Sequence, residues 1–126
     1  MPRRVHKPAS RAEAVRRLQR VPPSARRDAA FRKTILQIPR GKVATYGQVA
    51  AAAGYPHYHR HVAQFLSKSC GRLPWQRVVG SGGQIKLKRE SALEQRTRLE
   101  MEGVHFRGAR VDMAEHQHRF RPWEFD

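Results

Sequence analysis

The sequence predicts a small, mainly α-helical domain that contains a helix-turn-helix unit and one short β-hairpin. Three observations support this fold class. The 126-residue chain has room for a single core. Apolar residues recur at helical spacing in several segments after residue 24. One cluster of glycines, at residues 80–83, separates two short apolar stretches, which is typical of a hairpin.

The chain is strongly basic. Its 26 Lys and Arg residues outnumber 10 Asp and Glu residues and give a formal charge of +16 at pH 7. This charge favours nucleic acid as a partner, because cations that neutralise phosphates release condensed counterions. An anionic membrane surface is the competing interpretation, although no apolar run reaches the roughly 20 residues that cross a bilayer. We expect no membrane association.

Two features of the sequence bear on its location. The first 20 residues lack the apolar centre of a signal peptide. The single cysteine, Cys70, cannot form an internal disulfide, which suits a reducing compartment. We therefore expect a cytoplasmic, DNA-associated protein, or a nuclear one if the source is eukaryotic.

Residues 1–28 are predicted to be a basic, flexible N-terminal extension, and residues 29–126 to be the folded domain. Residues 1–40 hold twelve Lys and Arg residues but two acidic ones. Within this arm, Ser10 followed by Glu13 predicts a short capped helix that ends at Pro22. We expect the arm to contact phosphates, and a targeting role is the alternative.

The domain is predicted to begin with a helix capped by Ser24. Phe31, Ile35 and Ile38 are spaced so that they share one face of this helix, and Pro39 follows them. That face is expected to be the first contribution to the core.

The next segment predicts a helix-turn-helix unit. Thr45 followed by Gln48 forms a capping-box pattern, and the alanine-rich helix after it should stop at Gly54. A longer helix is predicted across Tyr55 and Pro56, with a buried stripe of Tyr58, Val62, Phe65 and Leu66. A short helix, a turn and a longer helix are the order in which such units present their second helix to a DNA groove.

The remainder of the chain predicts the hairpin, one helix and a tail. Two strands are expected around Gly80–Gly83; a phosphate-binding glycine loop is the alternative, but its motif spacing is missing. Ser91 with Glu94 predicts the cap of a helix that ends at Gly103. Residues 104–126 are expected to be irregular, with Trp123 and Phe125 packed on the core.

The residues alone give little support for catalysis or for a metal or other cofactor. On a helix, His57 and His61 would share a face while His59 would not, so the three do not form a ligand set. Histidines in so basic a helix suit phosphate contacts better. Cys70 is the one thiol, and nothing in the sequence supplies a base to activate it.

Two motifs carry a resemblance to a known family. "IPRGKVATYGQVAAAAGYPHYHRHV" and "LPWQRVVGSGGQI" resemble the DNA-binding domain of the O6-alkylguanine-DNA alkyltransferases, and most closely their non-repairing relatives, the alkyltransferase-like proteins. The resemblance extends from about Phe31 to Gly103. It implies a winged helix-turn-helix-like fold, that of the alkyltransferase C-terminal domain.

One difference from the repair enzymes stands inside the second motif. Where their Pro-Cys-His-Arg-Val motif has the cysteine that accepts the alkyl group, this chain has Trp75, and Gln76 replaces the histidine. Alkyl transfer needs a soft nucleophile such as a thiolate, and indole has no comparable atom. The resemblance therefore implies a protein that binds alkylated DNA and is not an enzyme.

The resemblance also assigns roles by position. Tyr46 matches the tyrosine that promotes rotation of the target nucleotide, and Arg60 matches the arginine finger that fills the vacated stack. Trp75 and Val78 would line the lesion pocket together with Tyr46, with Val78 contacting the guanine through its backbone amide. Lys88 or its neighbour Arg89 would supply a cation over the flipped base. Further DNA contacts are expected from the helix-turn-helix unit, at Thr45, Tyr58, His59, His61 and Gln64.

The implied function is recognition of O6-alkylguanine in double-stranded DNA by minor-groove docking and base flipping, without alkyl transfer. The bound protein, expected to be a monomer, would mark the lesion for nucleotide excision repair proteins. A general DNA-binding or nucleoid-associated protein without lesion preference is the main alternative. An enzyme that uses Cys70 as a substitute acceptor is a third.

Overall fold

The computed structural model of the protein describes residues 10–13, 21–69 and 72–121. Its helices are α1 (Pro23–Leu36), α2 (Tyr46–Ala52), α3 (His59–Lys68), α4 (Arg89–Met101) and α5 (Met113–His116). The strands are β1 (Ala44–Thr45), β2 (Val78–Val79), β3 (Phe106–Arg107) and β4 (Arg110–Val111), and two 3₁₀ turns span Trp75–Arg77 and Ser81–Gly83.

Part of the predicted N-terminal helix is seen. Residues 11–13 are helical, and the Glu13 N–H donates to Ser10 Oγ at 3.2 Å, as the predicted cap requires. The rest of that helix lies outside the described residues, and so do Cys70 and the pair Trp123 and Phe125.

The first core lies among α1, α2 and α3. The predicted stripe of α1 is confirmed, since Phe31 and Ile35 are fully buried and Ile38, just past the helix, is 1% exposed. The Phe31 ring contacts Phe65 of α3 at a centroid distance of 6.0 Å. These residues pack with Val49 of α2, so the three helices share one apolar centre.

Helix α1 begins before the predicted cap. Its first residue is Pro23, its N-cap is Pro22, and no side chain caps it, so the assignment of Ser24 as the cap is wrong. Proline suits the first helical position because its φ is already helical and no N–H partner is needed there. The predicted boundary between residues 28 and 29 therefore falls inside α1.

The entry to α2 follows the prediction closely. The Gln48 N–H donates to Thr45 Oγ1 at 3.0 Å, and the Thr45 N–H donates to Gln48 Oε1 at 2.9 Å, which forms the capping box. The helix ends at Ala52, and Gly54 follows with φ +93°. The order of short helix, turn and longer helix is thus the predicted one.

Helix α3 begins later than predicted. His57 has φ +72°, a left-handed conformation that interrupts a helix, so α3 starts at His59 instead of crossing Tyr55 and Pro56. Tyr58 consequently leaves the predicted stripe and is 40% exposed, while Val62 and Phe65 are buried as expected. The helix is shorter than predicted, and of the four predicted stripe residues Val62 and Phe65 are buried and Leu66 is half-buried.

The predicted hairpin around Gly80–Gly83 is wrong. Val78 and Val79 pair in parallel with Ala44 and Thr45, and residues 81–83 form a 3₁₀ turn. Gly83 has φ +86°, and a Cβ there would lie 2.5 Å from the carbonyl oxygen of Val111. The glycine therefore permits a close approach to the neighbouring strand instead of a hairpin turn.

The hairpin lies instead in the segment predicted to be irregular. Strands β3 and β4 pair antiparallel around Gly108, and α5 follows them. Val111 of β4 joins a second core with Leu99 of α4 and Val79 of β2. The mainly helical fold class with one small hairpin is confirmed, although the hairpin's position was mispredicted.

Helix α4 also begins earlier than its predicted cap. Lys88 is the N-cap residue and uses no side-chain hydrogen bond, so Ser91 already lies within the helix and the predicted Ser91 cap is wrong. The end is as predicted, because the helix stops at Met101 and Gly103 follows with φ +84°.

Candidate nucleic-acid interface

Tyr46 is held at the start of α2, directly after the capping residue Thr45. Its ring is half-buried and packs on the first core. Burial raises the pKa of the Tyr46 hydroxyl above its usual value, so the group is neutral at physiological pH. A neutral hydroxyl keeps its proton and can donate a hydrogen bond to a phosphate oxygen.

Parallel pairing of β1 with β2 connects this helix start to the tryptophan motif. Ala44 is paired with Val78 and Thr45 with Val79, so Tyr46 follows directly on the strand that lies beside the end of the motif. The Val78 side chain is fully buried, its N–H donates to the Trp75 carbonyl, and its own carbonyl accepts from Gln95 Nε2 at 2.9 Å. Val78 therefore has both backbone groups engaged inside the protein.

Trp75 is the first residue of the 3₁₀ turn and is half-buried. Its N–H donates to the Leu73 carbonyl at 2.7 Å. Gln95, buried on α4, donates through Nε2 to the Gln76 carbonyl at 3.1 Å as well as to Val78. Helix α4 thus fixes the backbone of the turn that presents the indole.

Arg77 braces the same turn from the other side. Its guanidinium bonds the Glu102 carboxylate with Nη2 to Oε2 at 2.5 Å, and Nη1 donates to the Ile38 carbonyl at 2.9 Å. Burial of Glu102 by itself raises its pKa, but hydrogen bonds from Arg77 and Gln76 and nearby positive charge outweigh it, so the pKa is lowered. The pair is ionised at neutral pH and ties the turn to the ends of α1 and α4.

A cation that sequence reasoning missed lies against the tryptophan. The Arg98 guanidinium carbon is 5.4 Å from the centroid of the Trp75 ring. Arg98 is also bonded to Glu94, one helical turn earlier, at 2.9 Å. The Glu94–Arg98 spacing is readable in the sequence as a helical ion pair. Its contact with Trp75 depends on tertiary packing and has no sequence signal.

The two predicted pocket cations lie at the opposite end of α4 from Arg98. Lys88 is its N-cap residue and Arg89 its first residue, with φ +53°, and both are exposed. Nine residues separate Arg89 from Arg98, which is about 14 Å along a helix. The two ends of α4 therefore offer cations at different distances from the turn it supports.

Arg60 is the second residue of α3 and is exposed. Among the residues described, no ion pair includes it. His59 and Gln64 are exposed too, whereas Tyr58 and His61 stack on each other with centroids 4.7 Å apart. The exposed face of α3 therefore carries a free guanidinium beside two polar side chains.

One group of possible metal ligands occurs in the described ranges, and it does not include His57, His59 or His61. It consists of His105, Glu115 and His116. His116 Nδ1 donates to the Gly41 carbonyl at 2.9 Å, and Nε2 accepts from the His105 N–H at 2.9 Å. Both ring nitrogens of His116 are engaged by backbone groups, so the cluster fits a structural role better than a metal site.

A cavity of about 730 Å³ lies away from all of these residues. It is bounded by α1, the end of α2 and the segment after α5, with Lys33, Ala52, His118 and Phe120 in its wall. Burial and the nearby Lys42 lower the pKa of His118, so its ring is neutral at neutral pH. None of the predicted site residues lines this cavity.

No helix within the described ranges is both long and apolar enough to cross a bilayer.

Comparison with known proteins gives consistent similarities. Residues 27–104 match the family model described as the DNA-binding domain of 6-O-methylguanine DNA methyltransferase. A DNA base-flipping protein of Vibrio parahaemolyticus is 49% identical over 72 residues, which are 56% of this chain and 72% of that protein. Alkyltransferase-like protein 1 of Schizosaccharomyces pombe is 45% identical over 74 residues, 56% of this chain and 68% of that protein.

Solved structures show the same likeness. S. pombe Atl1 in complex with damaged DNA containing O6-carboxymethylguanine superposes with a TM-score of 0.63 at 31% identity, over 76% of this chain and 95% of that one. Mycobacterium tuberculosis OGT in complex with DNA gives a TM-score of 0.55 at 27% identity, over 60% of this chain and 48% of that one. The predicted resemblance and the fold it implies are therefore confirmed.

Proposed function

Because the chain belongs to the family of 6-O-methylguanine DNA methyltransferase DNA-binding domains, we propose that it binds double-stranded DNA containing O6-alkylguanine, flips the damaged base and holds it without alkyl transfer. One observation carries the proposal. A half-buried tryptophan, Trp75, stands where the resemblance puts the acceptor cysteine, on a turn fixed by Gln95 and Arg77. An aromatic ring there recognises a base by stacking and shape.

The surroundings of Trp75 also argue against transfer. A displacement at the alkyl carbon needs a thiolate and a group that takes its proton. The neighbouring Gln76 side chain is buried and donates to Glu102 at 3.3 Å, and an amide is not a base. The turn therefore supplies neither nucleophile nor base, which supports a protein that is not an enzyme.

Base flipping is assigned to Tyr46 and Arg60. Tyr46 starts a capped helix directly after β1, which pairs with the strand that follows the tryptophan turn, Trp75–Arg77. From this position it can press on a phosphate. Arg60 is exposed and unpaired in the described residues, so its guanidinium is available to enter the stack. Unstacking a base costs a few kcal/mol, of which an inserted side chain recovers part.

The remaining assignments complete the interface. Val78 shapes the pocket through its buried side chain, and Lys88 or Arg89 adds a cation over the base. Duplex contacts come from Thr45 and the exposed start of α3, with Tyr58, His59, His61 and Gln64. In the cell, the monomeric protein would act on DNA in the cytoplasm, or in the nucleus of a eukaryote, and its stable complex would recruit nucleotide excision repair proteins.

A binding titration tests the function. A labelled duplex with one O6-methylguanine and an otherwise identical unmodified duplex are titrated at several salt concentrations. We expect at least several-fold tighter binding of the modified duplex, with flipping seen as increased fluorescence of 2-aminopurine placed beside the lesion. Equal affinities would favour a general DNA-binding protein. A methyl group found on the protein by mass spectrometry, on Cys70 or elsewhere, would favour an enzyme.

A further inference from the structure

A second cationic site lies at the far end of α3 from Arg60. It is a cavity of about 410 Å³ lined by Asp28, Arg32, Phe65, Lys68, Ser69 and Arg72. Three of these six residues are cations, and they come from α1, from the last turn of α3 and from the segment that leads to the tryptophan turn. We call this group of Arg32, Lys68 and Arg72 the cationic triad.

The positive charge of the triad is not neutralised within the described part of the chain. Asp28, the acidic residue of the cavity wall, lies 3.6 Å from Arg27 and is paired with it. No ion pair in the described ranges includes Arg32, Lys68 or Arg72. Like charges gathered without counterions repel one another, so a bound anion would stabilise the site.

The geometry of the cavity is suited to a phosphate. The Arg32 guanidinium carbon lies 5.4 Å from the centroid of the Phe65 ring, which restrains the side chain before any ligand arrives. The Phe65 ring is 9% exposed and belongs to the first core, so this support is rigid. A planar guanidinium fixed beside two further cations matches the several oxygens of a phosphate group.

One member of the triad, Lys68, shares a face of α3 with Arg60. Arg60, Gln64 and Lys68 are exposed and four residues apart, so they form one stripe along α3. Eight residues span about 12 Å of helix, and one strand of a duplex places a phosphate about every 3.4 Å of its axis. For a duplex whose axis runs along α3, the triad therefore lies about three to four base pairs from Arg60.

We propose that Arg32, Lys68 and Arg72 bind a phosphodiester of the DNA backbone about three to four base pairs from the flipped nucleotide. This inference rests on the proposed binding of duplex DNA. The contact reads no base and no damage, because only the phosphate is engaged. It adds the same affinity to modified and unmodified duplexes, and it fixes the register in which Arg60 meets the lesion.

The salt dependence of binding tests the site. The double variant with Arg32→Gln and Arg72→Gln should weaken binding of the modified and unmodified duplexes by the same factor, at least about three-fold near 0.1 M salt. The slope of log K against log salt should become shallower by about one to two units. Lys33→Gln is the matched control for Arg32→Gln alone, because each removes one charge and Lys33 follows Arg32 on α1 but lines the other cavity. It should change the slope less than Arg32→Gln does.

Chemical neutralisation of single phosphates locates the contact. In the unsubstituted protein, a methylphosphonate about three to four base pairs from the lesion should weaken binding, and in the double variant the same methylphosphonate should have little further effect. An undiminished effect in the variant would overturn the site while the lesion preference, measured independently, stood. Equal salt slopes for the variant and the unsubstituted protein would overturn it as well. Absence of duplex binding by the unsubstituted protein would overturn both this site and the proposed function.

Discussion

The guanidinium of Arg98 lies over the Trp75 ring, with 5.4 Å between its central carbon and the ring centroid. Glu94 holds it there through two hydrogen bonds to one carboxylate oxygen, at 2.9 and 3.2 Å. The indole that we propose stacks on the flipped base therefore has a cation held against it by an ion pair on the same helix. A restrained ring loses less conformational freedom when a base stacks on it.

Replacing Arg98 by alanine should consequently weaken binding of the lesion. A cation–π contact at an exposed site contributes about 0.5–1 kcal/mol, which corresponds to roughly two- to five-fold in affinity. The measurement is the ratio of affinities for modified and unmodified duplexes. The same substitution should also alter Trp75 fluorescence, read in a Trp123→Phe background.

The neighbouring Arg96 provides a matched control. It lies on the same helix, pairs with Glu100 at 3.5 Å and stacks at 4.4 Å on the Phe106 ring instead of on Trp75. Arg96→Ala removes the same kind of side chain and should leave the affinity ratio close to that of the unsubstituted protein. Equal losses from both substitutions would mean that Arg98 acts through charge alone.

Arg60 should be needed for lesion preference and not for folding. It is exposed and makes no ion pair in the described residues, so Arg60→Ala should change the free energy of unfolding by less than about 0.5 kcal/mol. Lesion affinity should fall by about ten-fold, because an empty stack recloses on the flipped base. The test is a duplex titration together with 2-aminopurine fluorescence.

Arg60→Lys separates charge from shape. Lysine keeps the charge but loses the planar guanidinium that stacks between bases. We expect intermediate affinity and little recovery of flipping. If Arg60→Lys kept the full lesion affinity and the full flipping signal, Arg60 would be assigned to a simple phosphate contact.

Local signals in the sequence predicted the site's framework well. The capping box at Thr45 and Gln48 involves three-residue spacing and backbone groups, so it is fixed by neighbouring residues alone. The buried face of α1 is likewise fixed by residues of one helix, through the spacing of its apolar side chains. These two signals were enough to place Tyr46 at a helix start.

Contacts between distant segments were not predictable in this way. The glycines that follow the two valines of β2 predict a hairpin, yet these valines pair with β1, which lies more than thirty residues earlier. Arg98 has an ordinary ion-pair spacing, and the three cations of the triad are scattered over three elements. Such arrangements depend on how the helices pack against one another. Residue type and spacing along the chain do not reveal that packing.

Gly83 should be among the least replaceable glycines. Alanine there would combine φ +86° with a Cβ only 2.5 Å from the Val111 carbonyl oxygen. The strain and the backbone clash together should destabilise the fold by at least about 3 kcal/mol, measured by urea denaturation.

Gly108 gives the comparison for that substitution. It has φ +60°, but no atom lies within 4 Å of its added Cβ. Gly108→Ala should therefore cost only about 1 kcal/mol, for the backbone conformation alone. Similar costs at the two sites would show that the 81–83 turn yields and that its contact with β4 is not tight.

The ion pair between Arg77 and Glu102 should make stability depend on pH. The Glu102 side chain is 8% exposed, and removing its charge by Glu102→Gln should cost about 2 kcal/mol at neutral pH, because Arg77 is left without its carboxylate.

Since the pKa of Glu102 is lowered in the folded protein, the unfolded chain takes up the proton first as pH falls. The contribution is therefore complete above the unfolded value of about 4.3 and is lost as pH falls through the lower folded value. Urea denaturation from pH 7 downward should show this loss in the unsubstituted protein and a shallower one in Glu102→Gln, while the control Glu100→Gln, whose side chain is 54% exposed, should follow the unsubstituted protein.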